Sequence, residues 1–394
     1  MTSSRSHTAI AFLSVGYRPF FLGAMLFAGS VMLVWLGVYV YQQPWLPDVL
    51  LPTYWHAHEM IFGYALAVIA GFLLTAIANW TGRPCIGGFP LLVLFGLWVA
   101  ARLLAFADRP QLWAAAELAF ALGLLMALLH PVIRSRRWLH LRIPGIVAAL
   151  LCCNGVFHAG LLGRVGDGMG SGLYAGFYLL ILLLFVMCRR VIPFFIQRGL
   201  AKKEGFEGQI WNALWLDRTL IGLFVAFALI KLVWKDQVEL LGILALLQLL
   251  GHGWRLVRWH EKGIWNNSLL WSLYLGYACL SSGFAFELWV AIQGGSPFIP
   301  LHAFALGGVG LVTISMMARV ARGHSGRDVL YPPRLLDLII VLMLASFFSR
   351  VVAPLVWNQG YAYWIALSQG FWITAFFVLL GLYLPLLLKP RISN

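Results

Sequence analysis

His58-Glu59-Met60-Ile61-Phe62-Gly63-Tyr64-Ala65-Leu66-Ala67-Val68-Ile69-Ala70-Gly71-Phe72-Leu73-Leu74-Thr75-Ala76-Ile77-Ala78 is the stretch on which the fold turns. Beyond Glu59 it carries no charge until Arg83. At about 1.5 Å of rise per residue, a helix of roughly 20 apolar residues crosses the ~30 Å hydrocarbon core of a bilayer. Two ionisable side chains stand at one end of this run and an arginine at the other. It reads as a membrane span with chemistry at its rim.

Runs of the same kind recur along all 394 residues. Apolar stretches separated by Gly, Pro and charge clusters predict spans at 19–41, 55–78, 86–106, 112–132, 143–163, 173–196, 213–234, 238–257, 267–291, 299–320, 335–356 and 363–388. The first is too long for the apolar core of a signal peptide and is expected to remain as a span. Composition agrees: 61% of residues are hydrophobic, 11% are charged and the mean hydropathy is +0.85. A soluble domain carries about 25% charged residues, so a soluble enzyme, a disordered chain and a secreted disulfide scaffold are excluded. Cys85, Cys152, Cys153, Cys188 and Cys279 show no C-x-x-C spacing, and four of them lie inside apolar runs. Neither a disulfide framework nor a zinc ribbon is indicated.

The net charge of +14 is read as loop charge that sets topology, so nucleic acid is not expected as a partner. If the N-terminus and every even-to-odd loop share one side, that side holds 22 of the 28 Lys and Arg residues. The positive-inside rule then puts both termini in the cytoplasm. The loops are short, and one transmembrane domain over 1–394 is the economical reading. The expected fold is all-α and polytopic, with about twelve helices.

Ionisable groups at membrane depth are costly and mark function. His56, His58, His158 and His302 fall at the non-cytoplasmic ends of spans 2, 5 and 10, and Glu59, Glu117 and Glu287 in the same third of spans 2, 4 and 9. His7, His130, His140, His252, His260 and His324 fall in or near cytoplasmic loops, where water can solvate them. Imidazoles at one depth suit iron or copper, with carboxylates orienting them. A His/Glu proton relay is the competing chemistry. On an α-helix His56 and His58 face nearly opposite ways, whereas His56 and Glu59, three apart, share a face. Arg102 and Arg350, near the outer ends of spans 3 and 11, suit carboxylates, either haem propionates or Glu117 and Glu287; the plain alternative is that they snorkel to the interface.

An internal echo adds to this. His58, Gly63 and the triplet Thr81-Gly82-Arg83 match His302, Gly307 and Ser325-Gly326-Arg327 at one offset. Spans 2 and 10 therefore look like copies in one orientation. Cys188-Arg189-Arg190-Val191-Ile192-Pro193 at the end of span 6 is a weaker relative. Three four-helix units around a pseudo-threefold centre would follow, with the site at the repeat interface. The triplets read as helix caps with glycine in a left-handed conformation. The alternative is a second, cytoplasmic site at His324 and Arg327.

These residues resemble a known family. Gly16-Tyr17-Arg18-Pro19-Phe20-Phe21, Trp55-His56-Ala57-His58-Glu59-Met60-Ile61-Phe62-Gly63, Gly71-Phe72-Leu73-Leu74-Thr75-Ala76, Asn79-Trp80-Thr81-Gly82, Arg190-Val191-Ile192-Pro193-Phe194-Phe195 and Gly323-His324-Ser325-Gly326-Arg327 together are similar to the NnrS family of polytopic bacterial membrane proteins. The resemblance implies haem b and copper as cofactors, a place in the cytoplasmic (inner) membrane and a role in the response to nitric oxide. It supplies no reaction and no electron donor, and leaves open whether the chain is an enzyme. It departs at span 6, where Cys188-Arg189 precede Arg190 in place of a glycine pair, and Ile196 stands for a threonine.

Two functions follow from different classes. In the first, His58 and His302 are metal ligands with His56 and His158 next, Glu59 orients a histidine, and Glu117 and Glu287 move protons or balance charge; NO or an NO–metal adduct is the ligand. In the second, the His/Glu layer is the substrate site of a proton-coupled secondary transporter. Against it, the repeat is parallel and no Gly or Pro break falls at mid-depth.

Overall fold

The computed structural model describes residues 11–392, so Arg5 and His7 lie outside the described residues. Every regular element among the described residues is helical. In chain order they are α1 (Tyr17–Tyr39), α2 (Pro52–Thr81), α3 (Gly88–Leu104), α4 (Pro110–Ser135), α5 (Arg142–Leu161) and α6 (Gly168–Glu204). Then follow α7 (Leu214–Val233), α8 (Val238–Trp259), α9 (Ser268–Gln293), α10 (Phe298–His324), α11 (Leu335–Val356) and α12 (Tyr361–Leu388). Among the described residues, ten helices are long and apolar enough to cross a membrane. The other two are α3, apolar but only 17 residues long, and α7, which carries Asp217, Arg218 and Lys231. The chain is a multi-pass helical membrane protein.

The chain divides into two compact units. Unit 1 holds the residues up to Leu180, Val320–Arg327 and those from Phe376 onward; unit 2 holds Ile181–Arg319 and Asp328–Ala375. In lipid, helices gain no hydrophobic driving force from meeting one another, so close packing and internal hydrogen bonds hold them. Unit 1 packs Phe20, Phe95 and Trp98 ring against ring at 5.5 to 6.5 Å, and Trp98 donates its indole N–H to the Gly63 carbonyl at 3.0 Å. Arg18, only 3% exposed, donates to the Leu387 and Lys389 carbonyls at 3.0 and 2.5 Å. It thereby satisfies carbonyls that the end of α12 would leave orphaned. The C-terminal half of the last helix, from Phe376, thus belongs to unit 1, and Arg18 of the Gly16–Phe21 motif holds its end there.

The echo between spans 2 and 10 extends to backbone form. α2 runs as an α-helix over Pro52–His58, widens to a π-helix over Glu59–Ala65 and resumes as α over Leu66–Thr81. α10 does the same: α over Phe298–Phe304, π over Ala305–Val312, α over Thr313–His324. Both close on a left-handed glycine, Gly82 (φ 69°) and Gly326 (φ 76°). Both helices thus run on without a break, but with a widened stretch inside each. Wide turns of this kind occur mostly at functional sites. Gly63 and Gly307, paired in the echo, are both places of close approach. A Cβ at Gly63 would press on Arg102 and Phe27, and one at Gly307 on the backbone of Cys279 and Leu280.

Candidate metal centre

The end of unit 1 that carries His58 is a closed polar cluster in apolar surroundings. His58 and Glu59 are both fully buried. Both ring nitrogens of His58 face acceptor oxygens: Nδ1 lies 2.9 Å from Glu59 Oε1, and Nε2 lies 2.9 Å from the side-chain carbonyl oxygen Oδ1 of Asn154 on α5. Asn154 in turn donates to Glu117 Oε2 on α4 at 3.0 Å. Arg102, on α3, donates to Glu59 Oε2 at 2.7 Å and pairs through its other terminal nitrogen with Glu117 Oε1. One guanidinium thus holds two buried carboxylates, and each carboxylate reaches His58, directly or through one amide.

Neighbouring residues on a regular helix do not face each other, yet His58 and Glu59 do. The π-turn begins at Glu59 and resets the angular spacing there. Glu59 therefore takes His58 and Arg102, not His56 as helix periodicity suggested. The His56 ring lies flat on Trp35 instead, at 4.5 Å and 7°.

His158 completes the group. Its ring stands 5.2 Å from that of His58, and it is only 5% exposed. Neither ring nitrogen has a hydrogen-bond partner among the described residues. A buried polar atom without a partner costs about 1–3 kcal/mol, and here two sit on one ring. One ligand atom each from His58, Glu117 and His158 lies within 4.8 Å of the others. Bonds of about 2.0–2.2 Å to one ion bring donor atoms to roughly 3–4.4 Å of each other, so small side-chain movements close the set. An ion fits this group, and it would give His158 the partner it lacks. A haem plane between the two histidines does not fit. The Trp113 ring touches both imidazoles, at 4.7 and 4.9 Å, and Phe157 touches both, at 4.5 and 5.3 Å. These rings occupy the perimeter a macrocycle needs.

The other predicted residues fall elsewhere. His302, in unit 2, donates its Nδ1–H to the Phe298 carbonyl at 2.7 Å, which leaves Nε2 as its lone-pair nitrogen. Arg350 Nη2 lies 3.3 Å from that nitrogen, and Nη1 lies 3.3 Å from the Tyr361 hydroxyl. Glu287 pairs with Lys231 at 2.8 Å. The His324 ring lies 5.6 Å from that of Tyr17, and Arg327 turns its backbone N–H onto the Arg322 carbonyl.

Sequence reasoning passed over Asn154 and Trp113, and it misplaced His252. That histidine is buried, 2% exposed, between Phe185 at 4.3 Å and Phe284 at 5.6 Å, and water does not solvate it. Its Nδ1 meets the Tyr277 hydroxyl at 2.5 Å, which accepts from Arg255 at 3.1 Å, and Arg255 donates to Asp217 at 2.6 Å. Arg189, which stands where the resemblance expects glycine, takes the other Asp217 oxygen at 2.5 Å. The available signal was the polar stripe Gln248, His252, Arg255 on one face of α8.

Fold and site together define a polytopic helical membrane protein with a buried imidazole–carboxylate group suited to a metal ion. The family model described as NnrS protein matches residues 11–391, nearly the whole chain, and the protein belongs to the NnrS family. None of the curated proteins compared with the chain matches it.

Proposed function

We propose that this protein binds copper and haem b in the bacterial cytoplasmic membrane and acts in the response to nitric oxide, with an ion held by His58, Glu117 and His158. The observation that carries this reading is His158: a buried imidazole with both nitrogens unpartnered beside two further ligand groups. Imidazole with carboxylate suits copper, iron or zinc, and of these copper accords with the family. With an ion bound, Glu59 would hold the Nδ1–H of His58, as carboxylates commonly do for ligand histidines, while Nε2 gives up its proton and its contact with Asn154 Oδ1. Arg102 holds Glu59 and Glu117 in place. Asn154 hands over His58 Nε2 when an ion arrives and keeps its bond to Glu117. A bound ion would supply an open coordination position for a small neutral ligand such as NO.

For haem b the better-suited residues are His302 and Arg350. The His302 tautomer leaves Nε2 as the donor nitrogen, and a guanidinium fork matches a propionate. The family's membrane setting and the Lys/Arg bias support twelve spans, α3 and α7 included, with both termini in the cytoplasm.

The wide turns in α2 and α10 also accord with the competing reading, a proton-coupled transporter, since turns of this kind occur mostly at functional sites. Colour and metal content separate the two. Protein purified in detergent from haem- and copper-sufficient cells should carry copper and a Soret band. His158→Ala should lose the copper while remaining monodisperse. A colourless, metal-free wild-type preparation would favour transport.

A further inference from the structure

A narrow cleft of about 10 Å³, with room for a water-sized molecule, lies in unit 1 beside the histidine cluster. Its lining includes Val49 and Leu50 from the α1–α2 connection, Trp55 from α2, Ala105 and Ala107 from the turn after α3, and Trp113 from α4. Accessibility falls along this wall from Val49, 43% exposed, to Trp113, 3% exposed. Trp113 is common to cleft and cluster, since the same ring touches His58 and His158. No charged side chain lines the cleft. The indole N–H groups of Trp55 and Trp113 are buried with no hydrogen-bond partner among the described residues.

We infer that this cleft is the path by which the ligand reaches the metal centre, that it admits only a small uncharged molecule of diatomic size, and that Trp113 is its inner gate. The inference rests on the metal-binding reading above and adds the class of ligand and its route. An ion would lose its hydration against an apolar wall with nothing to replace it. A neutral diatomic loses little on entering. Trp113 has the size to shut the path, and its movement would uncover both imidazoles at once.

Stopped-flow mixing of the metal-loaded protein in detergent with nitric oxide tests this. Ala107→Phe and Leu50→Phe should each slow association about tenfold or more, with metal content and resting spectrum as in the wild type. Trp113→Ala should speed association, and the same order should hold for carbon monoxide with the reduced protein. Association rates within twofold of wild type in both phenylalanine variants and in Trp113→Ala, at full metal content, would overturn the route. A wild type that holds metal but binds no nitric oxide would overturn the ligand class, and one without metal would overturn the underlying reading instead. Should one phenylalanine variant fail to fold, the other and Trp113→Ala still decide.

Discussion

Unit 1 and unit 2 each set a histidine beside an arginine after the same run of α-helix, and they use the pair differently. In unit 1 His58 is fully buried, and Arg102 is occupied by the carboxylates of Glu59 and Glu117. In unit 2 the echo places Ala303 where unit 1 has Glu59, and the Tyr361 hydroxyl, not a carboxylate, lies beside Arg350. There Arg350 turns to the histidine nitrogen and the tyrosine hydroxyl. The duplicated frame thus carries two chemistries. Two carboxylates on one guanidinium make the first copy a closed, buried pocket with donor atoms close together. Without them the second copy is a neutral imidazole flanked by a cation, in a partly accessible setting. Copying a backbone does not copy a site; two side chains out of a handful changed what the place can hold.

The largest expected effect lies in the metal ligands. His58→Ala and His158→Ala should each lower bound copper to a small fraction of wild type, while His302→Ala leaves copper in place and removes haem. Metal analysis beside the haem spectrum reads both at once; a copper loss equal in all three variants would dissolve the distinction between the units.

The arginines come next. Arg102→Met leaves two buried carboxylates without their cation, and breaking a buried pair costs about 3–5 kcal/mol. Little folded protein should be recovered, as seen by size-exclusion and thermal unfolding in detergent. Arg350→Met should fold at near wild-type yield. Equal losses in the two would mean that the carboxylates do not set the units apart.

A smaller effect is expected at Asn154. Outer ligand-orienting groups are typically worth 10–100-fold in metal affinity, so Asn154→Ala should weaken copper binding about tenfold in a competitive chelator titration. The smallest belongs to Tyr361→Phe, which removes one hydrogen bond at Arg350 and should cost about 1 kcal/mol or less in thermal unfolding, with copper unchanged.

Much of this architecture was legible in the residues alone, for identifiable reasons. Apolar runs bounded by charges mark helices because lipid tolerates no unsatisfied backbone, and the runs and the helices correspond along the chain. His58, Glu59, Arg102, Glu117 and His158, which meet in unit 1, were each singled out in the sequence as ionisable residues in apolar runs. The pairing of Arg102 with Glu117 was among the readings the sequence offered, whereas that of Glu59 with His58 and Arg102 was not. The partner of Glu59 depended on a π-turn that no 3.6-residue periodicity announces. Asn154 stayed hidden because a lone amide in an apolar helix looks like an ordinary interhelical contact. His252 was misjudged because position near a predicted helix end says nothing about the rings of Phe185 and Phe284 that close over it.

The account turns on one unpartnered imidazole. Copper-edge X-ray absorption on wild type and His158→Ala, each purified from copper-supplemented cells, tests it most directly. The account predicts a wild-type first shell of two imidazole nitrogens and a carboxylate oxygen at about 2.0–2.2 Å, lost or reduced to one imidazole in the variant. A first shell identical in both proteins would contradict it.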